Sequence, residues 1–123
     1  MVKVLYVEDE PAQRELVNQL LLLAGVEVEL ADNGIDGVQK AQSWQPDVIL
    51  MDLRMPGLNG FEAIEQIRET PDIKDTPIII LSAWTGARLD DEAAELGVHR
   101  CITKPFDLEE LVNAIMSTES LQF

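Results

Sequence analysis

Five short apolar runs, each followed by a stretch of helical period, constrain the fold of this chain more than any other feature. The runs cover residues 2–7, 26–31, 48–51 and 78–81, with a weaker one at 98–102. Strand-length apolar segments alternating with helical segments are the pattern of a parallel sheet covered by helices. The third and fourth runs are uninterrupted, as strands buried on both faces require, so they belong inside the sheet. The second sets Val26, Val28 and Leu30 against Glu27 and Glu29, which predicts an edge strand with one wet face.

The intervening segments carry helix punctuation. Pro11 opens the first helix where a missing N–H costs nothing, Leu16, Leu20 and Leu23 form its apolar stripe, and Gly25 ends it. Asp32 or Asn33 caps a second helix that runs to about Trp44, before Pro46. Phe61, Ile64, Ile67 and Arg68 mark a third, and residues 89–96 ahead of Gly97 a short fourth. The fifth starts at Asp107 with Glu110 three residues on, and Leu108, Leu111, Val112, Ile115 and Met116 follow the helical template. Residues 117–123 read as a frayed tail. The expectation is one α/β domain over 1–123, a (βα)5 unit with a five-stranded parallel sheet and no effector domain in this chain.

Charge then removes whole classes of function. Twenty-three acidic residues against 9 basic ones give a formal charge of −14 on 123 residues. Such a surface repels phosphate backbones, so direct nucleic-acid binding is not expected. Cys101 is the lone cysteine, which excludes an internal disulfide and a multi-cysteine metal site. Residues 4–7 are too short for a signal-peptide core, and no apolar run reaches the ~18 residues that spanning a membrane needs. The chain reads as soluble and cytoplasmic.

In a parallel sheet the strand C-termini share one rim, where ligands of open α/β folds bind. The residues that follow the apolar runs there are Glu8 and Asp9, Asp52, Ser82 and Lys104. Any one of them alone is an ordinary loop residue; together they make chemical sense. Three carboxylates against one ammonium leave two negative charges unbalanced, and unit charges ~5 Å apart repel by roughly 3 kcal/mol at an effective dielectric of 20. A divalent cation offsets this, and an all-oxygen donor set suits Mg²⁺ or Mn²⁺ rather than zinc. A carboxylate beside such an ion and a lysine has the parts of a phosphoryl acceptor. Asp52 is the nucleophile of choice because it directly follows the buried run 48–51, with Glu8 and Asp9 as metal holders and Ser82 and Lys104 as binders of the transferred group.

These residues resemble the receiver domain of two-component response regulators over nearly the whole chain. The resemblance rests on Val7-Glu8-Asp9-Glu10, on Asp52-Leu53-Arg54-Met55-Pro56-Gly57 with Gly60 closing the loop, on Leu81-Ser82-Ala83 and on Lys104-Pro105-Phe106. It implies a doubly wound, flavodoxin-like sheet of order 2-1-3-4-5. It further implies that Asp52 takes a phosphoryl group from a histidine kinase or histidine phosphotransfer protein. Mg²⁺ would be held by Asp9, Asp52, the backbone carbonyl of Arg54 and, through water, Glu8. Ser82 and Lys104 would bind the phosphoryl group, Lys104-Pro105 would be a cis peptide, and the phosphorylated chain would change its affinity for a downstream protein, as a monomer or a phosphorylation-dependent dimer.

The sequence departs from the family pattern three residues before the lysine, where an aromatic residue is usual and Cys101 stands. Cys101 reads as a small buried strand residue, so the aromatic part of the switch is in question. Trp84, two residues past Ser82, is a candidate to transmit the change instead. Arg54 reads first as a solvated loop residue and second as a side chain over the phosphoryl group that alters access of water; His99 reads as a surface residue. Three other readings compete. A receiver-like module that binds partners without phosphorylation is kept open by Cys101. An aspartyl-phosphate hydrolase would add a second carboxylate close after the nucleophile, where Arg54 stands. A nucleotide- or flavin-binding module would want a phosphate loop after the first strand, where Glu8-Asp9-Glu10 repels phosphate.

Overall fold

The computed structural model describes residues 1–53, 59–83 and 86–119. Strands and helices alternate strictly: β1 (Lys3–Val7), α1 (Pro11–Leu23), β2 (Glu27–Ala31), α2 (Gly34–Trp44), β3 (Val48–Asp52), α3 (Gly60–Glu69), β4 (Ile78–Ser82), α4 (Ala87–Glu95), β5 (Arg100–Thr103) and α5 (Leu108–Ser117). All strand pairs are parallel, in the order β2-β1-β3-β4-β5. The α/β class thus stands as read from the sequence pattern, and the flavodoxin-like winding and strand order as the resemblance implies.

Strand alternation divides the core in two. Leu5, Val7, Ile49, Met51, Ile78 and Ile80 point to the side covered by α2, α3 and α4. Val4, Tyr6, Val48, Leu50, Ile79, Leu81 and Ile102 point to the side of α1 and α5. Every residue of β3 and β4 is buried, whereas β2 exposes Glu27 and half-buries the next three, as befits an edge. Polar side chains fix the helix starts: Glu10 accepts from the Ala12 and Gln13 amides, Asn33 from Asp36, and Asp107 from Glu110, while Asn59 and Glu62 form a reciprocal capping box. Arg68 staples the opposite end of the sheet, donating to the carbonyls of Lys74, Thr76, Leu96 and Gly97. Among the described residues, no helix is long and apolar enough to cross a membrane.

Two helical stripes differ from expectation. On α1 the residues facing the sheet are Val17 and Leu21, while Leu16 and Leu23 are 59% and 82% exposed. Four consecutive leucines at 20–23 satisfy more than one helical phase, and the packed helix takes the one that turns Val17 and Leu21 to the sheet. On α5, Leu111, Ala114 and Ile115 are buried and Met116 is exposed. The described part of the tail is packed: Ser117 ends α5, His99 Nε2 lies 2.8 Å from its hydroxyl, and Thr118 is buried with its hydroxyl donating to Ile115. Residues 120–123 lie outside the described residues.

Candidate functional site

The ladders of β3 and β4 run one residue further than the apolar runs, so Asp52 and Ser82 are the last residues of their strands rather than the first of loops. Asp52 pairs in register with Leu81, and Ser82 with Thr103. The pairing extends because the Lys104 amide donates to the Ser82 carbonyl at 2.7 Å, just before the cis Lys104-Pro105 peptide. Both side chains are therefore carried on rigid backbone, and both are buried, Asp52 to 6% exposure. Glu8 follows β1, its amide donating to Ala31, and is 1% exposed.

At this rim one ligand oxygen each from Glu8, Asp9 and Asp52 lie within 4.8 Å of one another. Lys104 reaches in from the far side of the sheet: its Nζ is 3.2 Å from Glu8 Oε1 and 3.6 Å from Asp52 Oδ1. Four of the five residues singled out at the rim are thus one cluster, and Ser82 closes the strand between Asp52 and Lys104. The Arg54 carbonyl and side chain and Trp84 lie outside the described residues. Cys101 is half-buried on β5, packed toward the α2–α4 side of the sheet, where burial and the charge of Asp90 push its thiol up.

Three further residues support the cluster that sequence reasoning passed over. The Tyr6 hydroxyl donates to Glu8 Oε1 at 3.1 Å, and burial followed by the Glu8 charge holds this phenol far above its ordinary range. The signal was available, since Tyr6 and Glu8 are two residues apart on one strand face. Arg14 donates to the carbonyls of Glu8 and Asp9, pinning the acidic loop. Gln13 Oε1 accepts from Lys104 Nζ at 2.7 Å, a contact across 91 residues that no local pattern announces.

Packing acids this closely perturbs them. Burial, then the hydrogen bond and charge of Asp52, push the Glu8 carboxyl above its usual value near 4.5, against the pull of Lys104. Asp9 is raised as well, by desolvation and then by Glu8. Because the folded chain binds the Glu8 proton more tightly than the unfolded chain, stability falls as pH rises. The penalty is absent below about pH 4.5 and grows until Glu8 ionises in the folded state. In buffer free of divalent cations, the thermal midpoint should therefore climb as pH is lowered from about 8 toward 5. Glu8→Gln should flatten that climb; a slope unchanged in the variant would assign it to the overall charge instead. The donors are all oxygens, two of the three carboxylates are buried, and one ammonium leaves two negative charges unbalanced, so the residues fit a hard divalent cation such as Mg²⁺.

The sequence matches the response regulator receiver domain family over residues 4–116. Among curated proteins it is 36% identical to the protein PilH of Pseudomonas aeruginosa over 115 residues, covering 94% of this chain and 95% of that protein. Other curated relatives are longer, and the chain spans about half of their length, 46% and 47% in two cases. Among solved structures, the Vibrio cholerae chemotaxis protein CheY4 superposes with a TM-score of 0.91 at 36% identity, covering 96% of this chain and 98% of that one. The response regulator TrrA of Thermotoga maritima, solved in complex with Mg²⁺-BeF, gives 0.85 at 32% identity over 96% of this chain and 99% of that one. With the strand order, the acidic rim and the family match agreeing from end to end, the chain belongs to the receiver domains of two-component response regulators, which are signalling modules.

Proposed function

We propose that this receiver is a phosphoacceptor switch in which Asp52 takes a phosphoryl group from a histidine kinase or histidine phosphotransfer protein. The observation that carries the reading is the convergence of Glu8, Asp9 and Asp52 within 4.8 Å, with Lys104 3.6 Å from Asp52. An Asp52 carboxylate oxygen attacks the phosphorus of a phosphohistidine; the P–O bond forms as the P–N bond breaks, and the imidazole leaves with a proton from solvent. Lys104 binds one phosphoryl oxygen and the Ser82 hydroxyl donates to another. Asp9, Asp52, the Arg54 carbonyl and, through water, Glu8 are the assigned holders of Mg²⁺ (or Mn²⁺), which when bound neutralises charge on the transferred oxygens. The Mg²⁺-BeF complex of the similar TrrA supports this assignment.

Phosphorylation replaces a mutually repelling rim by one bridged through phosphoryl oxygens, and the chain's affinity for a downstream protein changes in consequence. The signal leaves without the usual aromatic side chain, since Cys101 stands in its place. We place the domain in the cytoplasm, as a monomer or a phosphorylation-dependent dimer.

Incubation with acetyl phosphate and Mg²⁺ tests the reading by intact mass. Near-stoichiometric addition of one phosphoryl group is expected, and EDTA should prevent it. Absence of any adduct, together with a melting curve that ignores Mg²⁺, would leave the passive, partner-binding reading in its place.

A further inference from the structure

The three acceptors around the Lys104 ammonium are ordered against simple electrostatics. A cation between two carboxylates and a neutral amide is drawn to the carboxylates, yet Lys104 Nζ lies 2.7 Å from Gln13 Oε1, 3.2 Å from Glu8 Oε1 and 3.6 Å from Asp52 Oδ1. The backbone that carries this amide is anchored at the helix start. Gln13 occupies the first turn of α1, which starts at Pro11, and its backbone N–H donates to the N-cap Glu10 at 2.8 Å. On the other side the Lys104 backbone is held by the bond of its amide to the Ser82 carbonyl at 2.7 Å.

We propose that Gln13 is a positioning residue that holds Lys104 toward α1 in the unphosphorylated chain, so that its hydrogen bond must be given up when the ammonium turns to a phosphoryl group on Asp52. The inference rests on the reading of Asp52 and Lys104 given above. A phosphoryl group carries about two negative charges and outcompetes a neutral amide for the ammonium. The Gln13 bond is therefore made in the ground state and not in the phosphoryl-bound state, and it opposes acceptance by about its own strength. Removing it favours the bound state; replacing it with a carboxylate strengthens the hold and disfavours that state.

The prediction is a change of sign between two substitutions at one position. Gln13→Met keeps the side-chain length and loses the acceptor; Gln13→Glu keeps the acceptor and adds a charge. With beryllofluoride as the phosphoryl mimic at saturating Mg²⁺, followed by fluorine NMR, Gln13→Met should bind roughly three- to ten-fold more tightly than the native chain, the range of one net hydrogen bond. Gln13→Glu should bind about ten-fold or more weakly. Gln13 is exposed, so both variants keep the fold, and circular dichroism melts verify this. A merely structural role would move both affinities the same way. Shifts of the same sign, or both below about two-fold, would overturn the role of Gln13 while leaving the phosphoacceptor reading intact. Failure of the native chain to bind beryllofluoride with Mg²⁺ would instead sink that reading and this inference with it.

Discussion

Asp52→Asn is expected to abolish phosphoryl labelling while leaving the chain folded and, without Mg²⁺, more stable than the native protein. The amide is isosteric with the carboxylate, and the site at the end of β3 is buried, so packing is kept. What disappears is the nucleophile: an amide oxygen carries no full negative charge to offer phosphorus, so labelling is lost with the competent attacking atom. The gain in stability has a separate cause. Asp52 raises the Glu8 carboxyl through both a hydrogen bond and its charge; removing that charge relieves repulsion from two carboxylates, Glu8 and Asp9, against the loss of one attraction, to Lys104 at 3.6 Å, which keeps Glu8 as a partner at 3.2 Å. Repulsion of roughly 3 kcal/mol between unit charges ~5 Å apart sets the upper scale. The same substitution should blunt the rise in melting temperature that Mg²⁺ gives the native chain. Intact-mass labelling and paired melts with and without Mg²⁺ read both effects. Stoichiometric labelling that persists in the variant would move the acceptor to Asp9 or Glu8.

That opposition between stability and activity ties the acidic rim to the fold that holds it. The carboxylates repel one another, yet they stay together because each is borne on backbone held elsewhere. β3 is buried along its whole length, Arg14 pins the carbonyls of Glu8 and Asp9, and the Tyr6 hydroxyl meets Glu8 from below. Buried apolar strands thus supply the rigidity, and the polar rim uses it.

What could be read from the sequence follows the same division. Parallel strands buried on both faces leave uninterrupted apolar runs, so β3 and β4 are plain in the sequence, and the rule that strand C-termini share a rim brings Glu8, Asp9, Asp52 and Lys104 together without coordinates. The phase of α1 is not legible, because leucine at each of residues 20–23 makes Leu23 as good a core candidate as Leu21; only the packed helix shows that Leu23 is 82% exposed. The bond between Gln13 and Lys104 joins residues 91 apart and leaves no trace in spacing. The role of Tyr6 needed only strand parity, which a list of polar residues overlooks. Gly60 reads in the sequence as a loop-closing glycine, and its true constraint is a contact with a strand.

That contact makes Gly60→Ala the substitution expected to cost most stability among those that add a single methyl group. Gly60 is the first residue of α3, and a Cβ there would lie 2.6 Å from the Asp52 carbonyl oxygen, 2.7 Å from Leu53 Cα and 2.9 Å from Leu53 Cδ2. Two of these three atoms are backbone at the end of β3 and cannot rotate aside. Either α3 lifts from the core that Ala63, Ile64 and Ile67 help to fill, or the strand end carrying Asp52 shifts. Overpacking of this kind costs about 3 kcal/mol. Alanine's helix preference over glycine returns at most about 1 kcal/mol, so the sign is destabilising. A net loss of ~2 kcal/mol in a domain of this size lowers the melting temperature by roughly 6–12 °C. Gly37 is the comparison, because a Cβ there meets Val7 side-chain atoms, the nearest at 2.8 Å, and a side chain has more freedom to adjust than a strand backbone. Gly37→Ala should therefore cost less. Adding Leu53→Ala to Gly60→Ala relieves only the Cδ2 contact and empties a buried leucine site, so the double variant should be less stable still. Because the displaced backbone bears the acceptor, Gly60→Ala should also slow acetyl phosphate labelling at temperatures where the variant is still folded, while Gly37→Ala should not. Equal melting losses at the two glycines, with labelling unchanged in both, would show that the close approach of α3 to β3 does not set the position of Asp52.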